Sequence, residues 1–146
     1  MEGTIQQHSI LAPMFALVGL TFLVWVRMYH LRIRYIVRNR INVDKYQTRS
    51  GYADVPAEVM TASDNLINLF EAPVLFYAAI LTIFLTHASD ATFVLMAWSY
   101  VGLRVVHTGI HITYNRVLHR FSAYFLSSMV LWAIWLRLAY VVFGRG

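Results

Sequence analysis

The chain has 146 residues, a length typical of one domain, and it carries 59% hydrophobic, 15% aromatic and only 13% charged residues. Soluble domains contain about twice that charged fraction, so the composition indicates a membrane protein. The formal net charge is +5, but the basic residues gather beside apolar segments, which favours a membrane surface over nucleic acid as their partner. Because the sequence has no cysteine, disulfides, a protein thiolate and cysteine metal sites are excluded.

Four apolar segments are long enough to cross a membrane as helices. They lie at about residues 10–29, 65–86, 91–113 and 121–143. A helix of about 20 residues matches the ~30 Å hydrocarbon core of a bilayer. Since the later connections are short, neighbouring helices should be antiparallel. The sequence therefore predicts one domain over residues 1–146, an all-α integral membrane protein with an up-and-down bundle of four transmembrane helices.

The distribution of basic residues predicts the orientation in the membrane. The first connection, about residues 30–63, contains six Lys or Arg residues, and the third, about residues 114–120, contains Arg116 and Arg120. The second connection contains none. Because Lys and Arg are enriched in cytoplasmic loops, we expect these two connections in the cytoplasm and both termini outside. Arg137, near the outer end of the fourth helix, should extend its guanidinium to the membrane surface.

Polar side chains interrupt the second and third apolar helices. Asn68 and Glu71 are three residues apart and share one helix face, and Arg104, His107 and His111 form a similar stripe. A charged group inside a membrane costs about 3 kcal/mol on insertion scales, so such groups face a partner or a polar cavity. We expect Arg104 to neutralise Glu71, and the two faces to form a site for a small polar anion. A purely structural ion pair is the alternative.

The segment that follows the third helix adds a polar rim to this predicted site. Its candidate ligand-binding residues are Tyr114, Asn115, Arg116 and Arg120. They should lie at the cytoplasmic end of the bundle, directly beyond the two polar faces. Arginines at that depth also bind lipid phosphate, which is the alternative interpretation.

Pro73 and the two histidines predict further local features. Pro73 has no N–H, so the carbonyl of Leu69 loses its helix partner and the second helix should kink. His107 and His111 are one turn apart, and with Glu71 they would suit a metal site of two histidines and one carboxylate. Neutral histidines that hydrogen-bond between helices are commoner, so we expect no metal.

Two segments resemble one known family. NLINLFEAPVLFY and RVVHTGIHITYNRVLHRF are similar to the membrane-associated proteins in eicosanoid and glutathione metabolism, the MAPEG family, and look most like its bacterial members. The resemblance covers about residues 10–143. Its specific parts are an Asn-x-x-Glu followed by proline in the second helix and an Arg-x-x-His-Thr in the third. The matching residues are Asn68, Glu71, Pro73, Arg104, His107 and Thr108.

This resemblance implies a homotrimer that binds glutathione, as a co-substrate, between neighbouring subunits near the cytoplasmic face. It further implies a bacterial inner-membrane protein with periplasmic termini, surrounded by lipids. An arginine would stabilise the glutathione thiolate, with Arg116 as first choice and Arg120 as second. Hydrophobic electrophiles or lipid hydroperoxides would be the second substrate. The residues expected to contact glutathione are Asn68, Glu71, Arg104, His107, His111, Tyr114 and Asn115.

Two positions depart from the family pattern. Asp64 lies one turn before Asn68, where transferases of this family carry an arginine that contacts glutathione. His111 stands where the family usually has a tyrosine. These departures favour a non-catalytic, lipid-binding or regulatory protein of the same fold as an alternative. The aromatic fourth helix would also suit a structural subunit of a larger membrane complex.

Overall fold

The computed structural model describes residues 7–42 and 55–144, and they form a bundle of α helices. The helices are α1 (Leu11–Asn39), α2 (Ala57–Phe70), α3 (Ala72–Leu85), α4 (Ala91–Ile112) and α5 (Val117–Phe143). Because only Glu71 separates α2 from α3, the helices make four spans that are long and apolar enough to cross a membrane. The predicted all-α bundle of four membrane helices is therefore confirmed.

The core lies in the half of the bundle away from the first and third connections. Phe76 of α3 and Tyr100 of α4 stack there, with ring centroids 4.5 Å apart and planes at 17°. Leu17 of α1 and Ile134 of α5 are completely buried beside them. The outer faces of the helices are also apolar, which is the pattern of helices surrounded by lipid.

The first connection is shorter than predicted. Residues 29–39 contain neither glycine nor proline, so α1 continues to Asn39 instead of ending near residue 29. Arg40 is the C-cap of α1 and has a left-handed φ of 50°. This conformation allows the N–H of Ile41 to donate to the carbonyl of Ile36 at 3.1 Å. α2 begins at Ala57, close to residue 55, where Asp54 and Pro56 in DVPAEVM predict that this helix starts in water before it enters the membrane. Residues 43–54 of the first connection lie outside the described residues.

The third connection is also shorter than predicted, because α5 begins at Val117 and not near residue 121. We call the end of the bundle that holds the first and third connections the basic end. The residues of the predicted site lie at this end, where α2, α4 and α5 meet.

An ion pair fastens the opposite end of the bundle. Asp90 caps α4 by accepting the N–H of Phe93 at 2.9 Å. Arg137 of α5 donates to both carboxylate oxygens of Asp90, at 3.0 and 2.7 Å. Arg137 thus reaches the second connection, at the surface end of its helix, and pairs there with a carboxylate that the sequence analysis did not assign to it. The hydrogen bond from Arg137 is the main reason why the pKa of Asp90 is lowered.

Candidate functional site

The second span is interrupted at Glu71, beside the predicted site. The φ of −90° and ψ of −100° at Glu71 end α2 at Phe70 and allow α3 to start at Ala72. Pro73 lies in the first turn of α3, where a missing N–H has no helix partner to lose. The interruption occurs where Pro73 predicts a kink, and it leaves Glu71 exposed.

Arg104 of α4 is completely buried at the place where α4 meets α2 and α5. Its Nη2 donates to the carbonyl of Asn68, and its guanidinium carbon lies 5.5 Å from the ring centroid of Tyr124. The predicted ion pair with Glu71 is absent from the described residues, because the helix interruption leaves the glutamate at the surface. Glu71 still lies close enough to interact electrostatically with Arg104.

The remaining donors of Arg104 are unusual for a buried cation. Its Nε and Nη1 have no hydrogen-bond partner among residues 7–42 and 55–144. Buried polar groups are nearly always hydrogen-bonded, so unpaired donors in a native site call for an explanation such as a ligand. Two donors of Arg104 therefore lack an acceptor in the described part of the chain, and the side chain is completely buried.

Asn65 is a site residue that the sequence analysis missed. It is fully buried, and its Oδ1 accepts a hydrogen bond from the hydroxyl of Thr108 at 3.4 Å. Its Nδ2 has no partner in the described part of the chain. Asn68, one turn later, is half-buried and donates from Nδ2 to the carbonyl of Asp64 at 2.9 Å. The spacing of three residues between the two asparagines was the available signal.

His107 and His111 continue the polar stripe on α4. Both are buried, and their ring centroids lie 5.8 Å apart in an edge-on arrangement. The ring of His107 also lies 6.0 Å from that of Tyr124. Glu71 does not complete a metal site with them: the described residues contain no cluster of three or more His, Asp or Glu that could hold a metal ion.

The turn between α4 and α5 positions Arg120. Asn115 has a φ of 46°, in the left-handed region that asparagine tolerates better than most residues. Its Oδ1 accepts a hydrogen bond from Nη1 of Arg120 at 2.8 Å, and the same nitrogen lies 3.3 Å from Nε2 of His111. The guanidinium is thus held between the turn and α4.

Two other predicted rim residues, Tyr114 and Arg116, are exposed and do not line the cleft that Arg120 lines. Arg116 is the exposed N-cap of α5 and makes no side-chain hydrogen bond to that helix. The hydroxyl of exposed Tyr114 pairs with Nδ1 of His119 at 3.1 Å. Of the two candidate catalytic arginines, the structure therefore brings Arg120, and not Arg116, to the other polar residues.

A cleft of about 230 Å³ opens where these groups meet. Its lining residues are Asn68, His107, Val117, Arg120, Phe121 and Tyr124. Tyr124 was also missed from the sequence, although it lies one turn after Arg120. The cleft joins amide, imidazole, guanidinium and phenol groups with apolar side chains of α5, so it can accept a ligand that is both polar and apolar.

His111 lines a second, smaller cleft. It has a volume of about 170 Å³, and Arg27 of α1 and Asn115 also line it. Both Arg27 and Asp64 lie close enough to His111 to interact with it electrostatically. Opposite charges thus flank this part of the site.

Comparison with known proteins identifies the family. The model of the MAPEG family matches residues 10–140, which include nearly the whole of all four spans. Neither a curated protein nor a solved structure gives a significant match. The chain is therefore an all-α, multi-pass integral membrane protein that belongs to the MAPEG family.

Proposed function

We propose that the protein is a glutathione-dependent membrane transferase or peroxidase that acts on hydrophobic electrophiles or lipid hydroperoxides. Membership of the MAPEG family supports a glutathione-transferase-like or related function. The observation that carries the proposal is Arg120, which Asn115 and His111 hold in a polar cleft. This cleft lies at the basic end, beside apolar surface that lipid-soluble substrates can reach.

The chemical groups of the site fit glutathione. Glutathione is a tripeptide with two carboxylates and one ammonium group, so it is a small polar anion. Arg104 is completely buried and does not line the cleft, but its two unpaired donors suit a carboxylate, because guanidinium and carboxylate form strong charge-assisted hydrogen bonds. Asn68 lines the cleft and offers an amide of the kind that pairs with peptide groups.

Arg120 would activate the thiol of glutathione. A nearby guanidinium favours the thiolate over the neutral thiol, and the thiolate is the nucleophile. With an aryl halide, the sulfur forms a bond to carbon and the halide leaves with the bonding electron pair. With a lipid hydroperoxide, sulfur attacks oxygen, the O–O bond breaks and an alcohol is released. A second glutathione then gives the disulfide and water.

The proposed homotrimer would give the exposed Glu71 a role. Its side chain lies on the surface of the protomer at the helix interruption, next to the site. In a trimer that binds glutathione between subunits, Glu71 would face the ligand from the rim, where it can pair with the ammonium group. Lipids would surround the outer faces of the assembly.

Turnover by the purified protein tests the proposal. The substrates are glutathione with a chlorinated nitroaromatic, or with a lipid hydroperoxide. Arg120→Gln should lower kcat about 100-fold, the loss typical when one group that stabilises developing charge is removed. Arg40→Gln, which removes a charge from the exposed end of α1, is the matched control and should retain full activity. A wild-type rate equal to background would refute the proposal.

The same assay distinguishes the two candidate arginines. If Arg116→Gln abolishes turnover and Arg120→Gln does not, Arg116 and not Arg120 stabilises the thiolate. Arg120→Lys should retain part of the activity, because it keeps the charge but loses the planar set of donors that Asn115 and His111 hold.

A non-catalytic lipid-binding or regulatory protein is the second candidate function. It is favoured by an apolar cleft of about 420 Å³ between α1 and the interrupted second span. Phe22, Trp25, Phe70 and Tyr77 contribute to its lining. Thermal stabilisation by a lipid or quinone, with none by millimolar glutathione, would favour this function over the enzyme.

A further inference from the structure

The end of α1 projects beyond the membrane core. From Leu11, about 20 residues suffice to cross the ~30 Å hydrocarbon layer, so the layer ends near residue 30. The helix nevertheless continues to Asn39. Residues 31–39 therefore lie at the level of the lipid headgroups and the adjoining water, at the basic end of the bundle.

Two arginines of this projection face one cleft. Arg34 and Arg38 are one helical turn apart and line a cleft of about 490 Å³ between α1 and the start of α2. Neither forms an ion pair in the described part of the chain. Glu58 of α2 also lines the cleft, so two guanidinium groups face one carboxylate. The described lining therefore has a net positive charge.

The apolar neighbours of these arginines are exposed. The side chains of Ile33 and Val37 are 56% and 70% accessible, and they are also one turn apart. Basic and apolar side chains that alternate on an exposed helix are typical of the membrane interface. Since Cα–Cβ bonds tilt toward the helix N-terminus, the arginines of α1 lean back toward the membrane.

We propose that this cleft binds the headgroup of an anionic phospholipid. Its phosphate would accept hydrogen bonds from Arg34 and Arg38. Guanidinium and phosphate form paired, charge-assisted hydrogen bonds, which makes arginine the suitable residue. The described lining shares no residue with the cleft of Arg120, although Glu58 also lines the smaller cleft beside His111.

Lipid binding to the purified protein in detergent tests this site. Phosphatidylglycerol and phosphatidylcholine are titrated separately, and bound lipid is counted by native mass spectrometry. Phosphatidylglycerol should bind tightly and phosphatidylcholine weakly. Each basic residue near an anionic surface increases the affinity for it about 5-fold, so R34Q/R38Q should weaken phosphatidylglycerol binding roughly 30-fold. The single variants should each lose about 5-fold, which provides the test if the double variant does not fold.

The charge-matched control is R32Q/R40Q. It removes two positive charges from the same end of α1 but from residues outside the described lining of the cleft, so phosphatidylglycerol affinity should remain near wild type. Equal losses in both double variants, or equal binding of both lipids to the wild type, would overturn the proposal. The proposal would also be overturned if inorganic phosphate displaced phosphatidylglycerol and bound with the same affinity as the lipid, since the site would then recognise a free anion. Glutathione binding, measured in parallel, should not change.

Discussion

Substitutions of Asp90 separate two roles of one carboxylate. Asp90 caps α4 through the N–H of Phe93, and it pairs with both terminal nitrogens of Arg137. Asparagine caps helices about as well as aspartate, whereas alanine does not. Asp90→Asn should therefore lose only the ion pair, and Asp90→Ala should lose the ion pair and the cap.

The structure sets the expected size of both effects. Helix capping contributes about 1 kcal/mol. The side chains of Asp90 and Arg137 are 45% and 29% exposed, so solvent screening limits even this bidentate pair to about 1 kcal/mol. At about 3 °C per kcal/mol for a chain of this size, the unfolding midpoint should fall ~3 °C in Asp90→Asn and ~6 °C in Asp90→Ala.

Thermal unfolding of the purified protein in detergent measures these midpoints. The pKa of Asp90 is lowered from its ordinary value of 3.8, so its stabilisation is present above that pH. It is lost as the pH falls through the lower pKa of the folded state. The midpoint difference between wild type and Asp90→Asn should thus be constant near neutral pH and disappear in strong acid.

A double-mutant cycle with Arg137→Gln provides the control. If the ion pair accounts for the loss, Asp90→Asn combined with Arg137→Gln should cost less than the sum of the two single losses. Arg137→Gln also removes the contact of the guanidinium with the ring of Phe93, 4.1 Å from its centroid, so the double variant should cost somewhat more than Asp90→Asn alone. Strictly additive losses would show that the two groups do not interact. Equal midpoints for Asp90→Asn and Asp90→Ala would show that the cap contributes nothing.

Two further substitutions test the candidate site. Asn115→Gly should keep the left-handed turn but lose the acceptor for Arg120, lowering kcat about tenfold, whereas Asn115→Ala should also lower the unfolding midpoint. An unchanged kcat in Asn115→Gly would show that the hydrogen bond does not position Arg120. Asp64→Arg should tighten glutathione binding about tenfold by calorimetry, because a cation replaces the carboxylate near His111. Asp64→Asn should be intermediate, and no change in either variant would place glutathione elsewhere.

The four spans could be predicted because hydropathy over about 20 residues reports directly on the membrane. The end of α1 and the start of α5 could not. Residues 30–39 are too polar to be assigned to a span, and hydropathy does not distinguish a polar helix in water from a loop. The start of α5 was misplaced for the same reason, since HR in VLHRF is polar yet helical.

The residue types of the site could be predicted, but their contacts could not. The partner of Arg104 depends on the backbone angles at Glu71, which the sequence indicates only through Pro73. The position of Arg120 depends on where α5 begins. Because α5 begins at Val117, Arg120 lies in its first turn and lines the cleft, whereas the prediction placed it in the connection before the helix. Contacts that depend on such local geometry require coordinates.

The interruption at Glu71 also has a genetic consequence. It divides the second span into a half that carries Asn65 and Asn68 and a half whose buried residues, among them Phe76 and Ile80, belong to the core. In a library of polar-to-apolar and large-to-small substitutions, changes at the two asparagines should yield protein that accumulates but fails to bind its ligand. Changes at Phe76 and Ile80 should yield protein that is degraded. Because Leu69 in the first half also belongs to the core, changes there should cause degradation as well, and only the polar positions of that half should give the first class.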